Sequence, residues 1–357
     1  MYNTSNHYFS TSLLHWYDSN RRNLPWRKTN DLYKIWLSEV MLQQTRVDTV
    51  IPYYLKWVEK FKTIKSVALA DGQTLLKLWE GLGYYSRCRN FQKACKIILN
   101  NYSGEIPLDF QKFRLLPGVG DYTASAVFSI GLKQTYPALD GNVRRVMARV
   151  LRIKNITKRN NKRIYNTLIK WMDRERPGDI NQALMDLANR ICCVDHALCS
   201  TCPIDEICMA NKMSIPESYP VRMKKKVIPH KDIVAGIIWQ RKKFLITKRK
   251  ENALLGGLWE LPGGEIVSSE TPIGSLRRQI KKEWDIDINI KKKVGYVKHA
   301  YSHFKITLTL YQCQTQGSVK SVDKGYRWIT PIEINNYPFP ISNHKLFKLL
   351  NSSGWNV

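Results

Sequence analysis

Five of the eight cysteines in this sequence lie close together, as metal-binding cysteines do. They are Cys192, Cys193, Cys199, Cys202 and Cys208, and they fall within 17 residues. A disulfide framework would distribute its cysteines along the chain, so the clustering favours a metal centre. Cys88 and Cys95 are seven residues apart on one face of a predicted helix, and we expect both to be small buried residues.

A glycine-containing turn is a candidate phosphate-binding site. The stretch FRLLPGVGDYTASAVFSIG places Gly118 and Gly120 between two helical stretches. Glycine adopts backbone conformations closed to other residues, and it lets a phosphate oxygen approach bare N–H groups at the start of the next helix. Such a contact would hold nucleic acid without reading its sequence. An ordinary helix-to-helix turn is the alternative.

Two carboxylates could take part in acid–base chemistry. Glu39 lies in a helical stretch in which Trp36, Val40 and Gln43 follow a three-to-four-residue period, so its carboxyl lies beside an apolar face. Apolar surroundings keep a carboxyl protonated, and it can then donate that proton. The alternative is a solvated carboxylate on an outer face. Asp140 precedes a predicted helix in ALDGNVRRVMAR, where an N-cap is the commonest role of aspartate.

The elements that must position these residues form two domains. Apolar residues at helical spacing predict helices within residues 31–46, 91–99, 122–132 and 162–173. Residues 213–229 combine three prolines with a basic run, which is typical of an exposed linker. Beyond the linker, strands are predicted at 233–240, 243–249, 295–301 and 305–313, with helices near 271–283 and 342–350. We therefore expect a mainly α domain over 1–212, a linker over 213–229 and an α+β domain over 230–357.

The charge of the chain indicates a polyanionic partner. Fifty-seven Lys and Arg against 29 Asp and Glu give a formal net charge of +28, which suits nucleic acid. Genome composition is the alternative explanation for charge alone. No apolar run approaches the roughly 20 residues of a membrane-spanning helix, and the N-terminus is unlike a signal peptide. We expect a soluble cytoplasmic monomer that binds DNA and no membrane.

Three features together resemble the helix-hairpin-helix DNA glycosylase superfamily: the glycine-containing turn with its two flanking helices, which would form the hairpin, the segment LDGNVRRVMAR, and the cysteine cluster. The resemblance implies that Asp140 faces the sugar of a flipped-out nucleotide. The superfamily's ligand spacing, Cys-x6-Cys-x2-Cys-x5-Cys, is matched by Cys192, Cys199, Cys202 and Cys208, which implies a [4Fe-4S] cluster. Zinc is the alternative, although structural zinc sites usually have two Cys-x2-Cys pairs and this segment has one. The loop between the first two ligands is usually basic in the family and is not basic here.

More of the chain resembles the A/G-specific adenine glycosylases, the MutY family. The matching segments are LPWR at 24–27, LYKIWLSEVMLQQTRVDTVIPYY and GLGYYSRCRN at 81–90. Endonuclease III-like lyases carry a nucleophilic lysine two residues after the last glycine of the hairpin, where this chain has Tyr122. Without that amine no Schiff base forms, so the resemblance implies a monofunctional enzyme that uses water. The alternatives are a bifunctional glycosylase/lyase for oxidised pyrimidines and a non-catalytic nucleic-acid binder.

The same resemblance implies roles for the remaining site residues. Glu39 is expected to protonate N7 of adenine, and Asp140 to stabilise the oxocarbenium-like sugar or bond to it briefly. Asp140 and the nucleophile are expected to be positioned by Tyr122 and Asn142. The expected adenine-pocket residues are Trp26, Arg27 and Gln182, and the expected wedges in the vacated stack are Gln44 and Tyr84. Core packing is the alternative for Trp26 and Tyr84.

The C-terminal domain contains an altered Nudix box within residues 256–288. An active box would have Glu at 279 and 282 and Gly at 285, whereas this chain has Gln279, Lys282 and Asp285. A lysine among Mg²⁺ ligands repels the metal, so we expect a Nudix-derived binding module. The resemblance implies that this module recognises 8-oxoguanine opposite adenine, with Ser302 as the contact and His303 as its support. A plain strand end is the alternative for these two residues.

Overall fold

A computed structural model describes residues 2–222, 227–267, 269–316, 325–352 and 354 of the chain. Its contacts divide the chain into two compact units. One consists of Met1–Leu69 and Asn90–Lys224, and the other of Ala70–Arg89 and Lys225–Val357. The division after residue 224 falls within the predicted linker, 213–229. The grouping of 70–89 with the second unit is not anticipated by the sequence, because no change of composition marks that segment.

The first unit is built from α-helices. In chain order the helices before the linker are α1 (Tyr2–Asn20), α2 (Leu32–Leu42), α3 (Val47–Lys60), α4 (Ile64–Leu69), α5 (Gly72–Leu78), α6 (Ser86–Asn101), α7 (Phe110–Arg114), α8 (Asp121–Leu132), α9 (Gly141–Val150), α10 (Lys158–Trp171), α11 (Pro177–Arg190) and α12 (Met209–Lys212). Helix α5 and the first turn of α6 belong to the second unit. All four helices predicted from periodicity are present. No helix among the described residues is both long and apolar enough to cross a membrane.

Two apolar clusters hold the helices of the first unit together. One joins α1, α9, α10 and α11 and includes Leu13 and Leu184, both fully buried. The other is aromatic, with the ring of Trp36 on α2 at 4.3 Å from that of Phe91 and 5.5 Å from that of Phe113. Burial of such large apolar side chains is the main force that stabilises a helical domain. The aromatic cluster fixes α2, the helix that carries Glu39.

The second unit is an α+β domain, so the fold predicted for both domains is confirmed. Its elements after the linker are β1 (His230–Gln240), β2 (Lys243–Lys248), β3 (Trp259–Glu260), β4 (Gly263–Glu265), α13 (Pro272–Trp284), β5 (Ile288–Ala300), β6 (Lys305–Thr315), β7 (Tyr326–Ile329) and α14 (Ile341–Ser352). The strands form one sheet in the order β3-β2-β1-β6-β5, with β4 paired to β1 and β7 to β2. Strands β1 and β6 are parallel, and the remaining pairs are antiparallel.

Strand β5 is longer than its sequence predicts. It begins at Ile288 instead of residue 295 and is interrupted by irregularities between Ile290 and Lys292 and between Lys293 and Gly295. Each irregularity shifts the alternation of inward and outward side chains. The period-two signal is therefore lost over the first half of the strand.

Residues 70–89 pack into the second unit through polar contacts. The amide Nε2 of Gln73 donates to the carbonyl of Gly257 at 3.0 Å. The carboxylate of Glu80 accepts a hydrogen bond from the backbone N–H of Phe339 and lies 2.7 Å from Nε2 of His344. These contacts lie far apart in sequence, which is why local patterns do not predict them.

Candidate active site and DNA-binding residues

Glu39 is a buried carboxyl on the inner face of α2. Asp31 caps the start of this helix by accepting hydrogen bonds from the backbone N–H groups of Tyr33 and Lys34. Glu39 is 5% exposed, so the solvated alternative is wrong. Burial raises the pKa of Glu39 to about 7, and the charge of Asp140 also raises it. The carboxyl can therefore hold a proton near neutral pH.

Tyr122, near the start of α8, is bonded to Glu39. Its hydroxyl donates a hydrogen bond to Oε2 of Glu39 at 2.9 Å and lies 3.6 Å from the sulfur of Met185. Burial and the charge of Glu39 raise the pKa of Tyr122, so the phenol keeps its proton. The sequence associates Tyr122 with Asp140 and the nucleophile, whereas its hydrogen bond in the structure orients Glu39.

Asp140 is both an N-cap and a candidate catalytic carboxylate. One oxygen, Oδ1, accepts the backbone N–H of Val143 at 2.7 Å and caps α9. The other, Oδ2, accepts the side-chain amide of Asn142 at 2.9 Å. The two roles that the sequence leaves open are therefore compatible, since the hydrogen bonds that cap the helix also fix the carboxylate.

Asn142 links Asp140 to the cysteine-rich segment. Its carbonyl oxygen Oδ1 accepts a hydrogen bond from Nη1 of Arg145 at 3.1 Å. The same guanidinium donates from Nε to the backbone carbonyl of Cys192 at 3.1 Å and from Nη2 to that of Ala188 at 2.9 Å. A continuous series of hydrogen bonds thus joins the aspartate to the first predicted cluster ligand.

A buried carboxylate that the sequence analysis missed holds Arg27. Asp186 is fully buried on α11 and accepts Nη1 of Arg27 at 2.7 Å. It also accepts Nε and Nη2 of Arg22, at 2.9 and 2.6 Å. The charge of Arg27 lowers the pKa of Glu39, against the effect of burial. Helical periodicity gives no signal for Asp186, because Ile180, Leu184 and Leu187 share one face of α11 and Asp186 lies off that face. Its cationic partners, which a buried carboxylate needs, come from a distant segment of the chain.

The other two predicted adenine-pocket residues are also within the first unit. Trp26 is 6% exposed and packs edge-on against Tyr54, with ring centroids 5.2 Å apart. Gln182 is half-buried on α11. The contacts of Trp26 agree with the core-packing alternative and leave its predicted role in adenine binding as a prediction.

Both predicted wedge residues have backbones in the left-handed region. Gln44 has φ of 58° and Tyr84 has φ of 47°. Residues other than glycine seldom adopt this conformation, which is strained and concentrates at functional sites. Eight other non-glycine residues of the described chain also have positive φ, so the wedge role of these two residues remains a prediction.

The glycine turn is found between α7 and α8, as predicted. Gly118 has φ of 78°, and a Cβ atom there would lie 2.9 Å from Cβ of Asn90, so glycine is required. Gly120 has φ of −102°, an extended conformation that any residue adopts. The expectation of a restricted conformation at Gly120 is therefore wrong. A Cβ there would meet no atom within 4 Å, which leaves open space beside the start of α8.

The four predicted cluster ligands line one cavity. They are Cys192, Cys199, Cys202 and Cys208. Arg149 is 2% exposed and donates from Nη1 to the sulfur of Cys192 at 3.2 Å and to the carbonyl of Cys193 at 2.8 Å. Among the described residues, no three His, Cys, Asp or Glu side chains lie close enough together to hold a single metal ion. Cys88 and Cys95 are buried, as expected.

Ser302 and His303 are exposed at the tip of the β5–β6 hairpin. The backbone N–H of Tyr301 donates to the carbonyl of Phe304 at 2.8 Å and closes a two-residue loop. The hydroxyl of Ser302 is 2.5 Å from that of Tyr84 within the second unit. Tyr84, a predicted wedge residue, therefore contacts Ser302, the residue predicted to bind 8-oxoguanine.

Two residues that replace the expected residues of the Nudix box, Gln279 and Asp285, have structural roles in the altered box. The amide Nε2 of Gln279 donates to the carbonyl of Glu265 and lies 2.9 Å from Oγ of Ser275. Its Oε1 packs so closely on Gly264 that a Cβ there would approach it to 2.2 Å. Asp285 adopts φ of 56° where the box would have glycine. Gln279 thus serves as a structural link in a position where an active box holds a metal ligand.

Two protein-family models match the two halves of the chain. Residues 37–172 match the HhH-GPD superfamily of base excision DNA repair proteins, and residues 234–349 match the NUDIX domain. A thermostable thymine-DNA glycosylase of known structure superimposes with a TM-score of 0.55 at 25% identity, over 59% of this chain and 98% of its own. The fold and the buried carboxyl therefore define a helix-hairpin-helix base excision repair protein with a Nudix-like domain.

Relatives that match most of the chain assign it to one family of base excision repair proteins. The adenine DNA glycosylase of Homo sapiens is 31% identical, over 96% of this chain and 73% of its own length. That of Buchnera aphidicola subsp. Schizaphis graminum is 35% identical, over 84% of this chain and 85% of its own length. The chain belongs to the adenine DNA glycosylase family.

Proposed function

We propose that this protein is a monofunctional DNA glycosylase that removes adenine paired with 8-oxoguanine or guanine in double-stranded DNA. The observation that carries the proposal is the buried carboxyl of Glu39, whose pKa is raised to about 7 and which Tyr122 orients. The relatives named adenine DNA glycosylases support the same activity. The reaction begins base excision repair by leaving an abasic site.

Glu39 acts as the general acid. Adenine leaves the sugar far more easily as a neutral base than as an anion, so N7 must be protonated as the N-glycosidic bond breaks. A carboxyl with a pKa near the working pH is protonated often enough to donate and acidic enough to release its proton. Burial supplies that pKa, and the hydrogen bond from Tyr122 limits the shift.

Asp140 stabilises the sugar as positive charge develops on C1′. Its carboxylate is held by the Asn142 amide and the Val143 N–H, so little reorganisation is needed when the charge appears. It stabilises the oxocarbenium-like sugar or bonds to it briefly, and water completes the reaction. The bifunctional alternative needs an amine at position 122, and Tyr122 has none.

The adenine pocket and the duplex contacts complete the proposal. Trp26, Arg27 and Gln182 surround the flipped adenine, while Gln44 and Tyr84 fill the vacated stack. The N–H groups beside Gly118 and Gly120 hold a phosphate at the start of α8.

The cysteine cavity fits a [4Fe-4S] cluster. Four thiols line it, and the buried guanidinium of Arg149 donates a hydrogen bond to one of them. Cys192, Cys199, Cys202 and Cys208 would hold the cluster through their sulfur atoms. Ligation by these four residues would cross-link the loop between α11 and α12. Arg145 and Arg149 then tie that loop to α9 and so to Asp140.

Ser302 makes the contact to 8-oxoguanine, and His303 supports the loop. The Ser302→Ala variant is expected to reduce the preference for 8-oxoguanine over guanine opposite adenine by about twofold to tenfold, the effect of removing one hydrogen bond. Single-turnover excision rates and equilibrium binding on the two duplexes measure this ratio. The matched control is Tyr84→Phe, which removes the partner hydroxyl and leaves Ser302 in place. Equal ratios in parent and Ser302→Ala would place recognition elsewhere.

Release of the free base tests the function directly. A duplex with radiolabelled adenine opposite 8-oxoguanine is expected to yield free adenine and an intact, alkali-labile strand. Chromatography distinguishes adenine from its nucleotide. Release of a nucleotide, or of no labelled product, would contradict the proposed activity.

A further inference from the structure

We propose that a basic groove at one end of the sheet in the second unit binds a backbone phosphate of the DNA strand that carries 8-oxoguanine. The inference rests on the proposed function and extends it. The groove has a volume of about 510 Å³ and lies where β1 and β6 begin and β5 ends. Its polar lining consists of His230, Lys298, His299, Lys305, Thr307 and Lys345. We call it the lysine groove.

The sheet brings the lining residues together. His230 pairs with Lys305 in the parallel β1–β6 ladder, and Lys298 pairs with Thr307 in the antiparallel β5–β6 ladder. Lys345 reaches the groove from α14 and donates from Nζ to the carbonyl of Lys298 at 3.0 Å. Paired residues of neighbouring strands present their side chains on the same face, so His230, Lys298, Lys305 and Thr307 share one face of the sheet. His299 pairs with Ile306 and lies on the other face, so the groove extends around the end of the sheet. The groove is therefore a built concavity, with each wall held by backbone pairing or by a hydrogen bond.

Few carboxylates of the described residues balance the positive charge of the lysine groove. Among the salt bridges of the described residues, none involves Lys298, Lys305 or Lys345. One acid lies close, since Oδ1 of Asp232 is 3.4 Å from Nε2 of His230. Ammonium groups gathered in a concave surface repel one another until an anion binds between them. A phosphodiester supplies that charge, and Lys binds it as a point charge without reading the base.

The position of the lysine groove indicates which strand it holds. The β5–β6 hairpin that forms one wall also presents Ser302 at its tip, and Ala300 and Lys305 on either side of the loop are paired. Ser302 is the proposed contact to 8-oxoguanine. A phosphate bound beside the loop is then a backbone phosphate near that base and fixes the position of the strand relative to Ser302.

Salt-dependent binding tests the lysine groove. The chain with Glu39→Gln, which prevents excision, is compared with the same chain carrying Lys298→Gln, Lys305→Gln and Lys345→Gln. Duplexes with A opposite 8-oxoguanine are titrated over a series of KCl concentrations. The slope of log K against log salt is expected to become shallower by about 0.9 for each phosphate that the variant no longer neutralises. Arginine at the same three positions keeps the charge and is expected to restore the slope.

Two controls make the result specific to the lysine groove. The triple variant Lys243→Gln, Lys282→Gln and Lys292→Gln removes three exposed lysines of the same unit that lie outside the groove, and it is expected to change the slope less. An unchanged slope in the groove variant, or equal changes in both triple variants, would overturn the proposal. Excision by the chain with Glu39 intact is measured separately. Absence of excision would refute the proposed glycosylase activity. The salt dependence of DNA binding would still test the lysine groove.

Discussion

Replacing Glu39 with glutamine is expected to lower the rate of adenine excision by about 10²- to 10⁴-fold, the usual contribution of a general acid. The amide has nearly the same shape and can still accept the hydrogen bond from Tyr122, but it has no proton of suitable acidity to donate. Single-turnover kinetics on a duplex with A opposite 8-oxoguanine measure the loss. Duplex affinity is expected to remain close to that of the parent, because phosphate contacts are unaltered.

The pH dependence of adenine excision tests the role of Glu39 as general acid in a second way. Because the pKa of Glu39 is raised to about 7, the protonated form prevails below pH 7 and falls about tenfold for each pH unit above it. Excision by the parent should therefore decline on the alkaline side. The matched control is Tyr122→Phe, which removes a hydrogen bond that lowers the pKa of Glu39 and should move the decline to higher pH. Near-normal excision by Glu39→Gln would remove this carboxyl from the mechanism.

Replacing Asp140 with asparagine is expected to reduce excision by about 10²-fold or more, because the charge that faces the developing oxocarbenium ion is lost. Asparagine is as good an N-cap as aspartate, so the hydrogen bond from Val143 is retained. The bond from the Asn142 amide is lost, because an asparagine that caps through its oxygen turns an NH2 group toward that amide. A modest fall in the free energy of unfolding is therefore expected. Excision kinetics and thermal unfolding are measured on the same preparation.

The second variant, Asp140→Ala, separates the two roles of this residue. It loses both the charge and the cap, and is expected to be inactive and destabilised by about 1 kcal/mol. Loss of activity in both variants, with the larger loss of stability in Asp140→Ala, is the expected pattern. An active Asp140→Asn protein would leave capping as the whole role of Asp140.

Local patterns in the sequence predict most of the elements that carry the site. The burial of Glu39 follows from the apolar period of α2, and the glycine turn follows from its sequence, although only Gly118 needs a special conformation. The cap at Asp140 is equally local. These features could be predicted because each depends on residues within a few positions of one another.

What the sequence could not predict depends on contacts between distant segments. Arg27 and Asp186 are 159 residues apart and meet only in the folded unit. The hydrogen bond from Tyr122 to Glu39 spans 83 residues, and residues 70–89 join the second unit through partners more than 160 residues away in the chain. The left-handed backbones of Gln44 and Tyr84 also follow from surrounding structure, since neither residue type favours that region.

The most direct test of the account is strand cleavage on three end-labelled duplexes, which contain A opposite 8-oxoguanine, A opposite G and thymine glycol. We predict breaks only in the adenine-containing strands, at the position of the adenine and only after alkali, because a monofunctional enzyme leaves an abasic site without cutting the backbone. Cleavage of the thymine glycol strand without alkali would contradict the account and would indicate a lyase for oxidised pyrimidines.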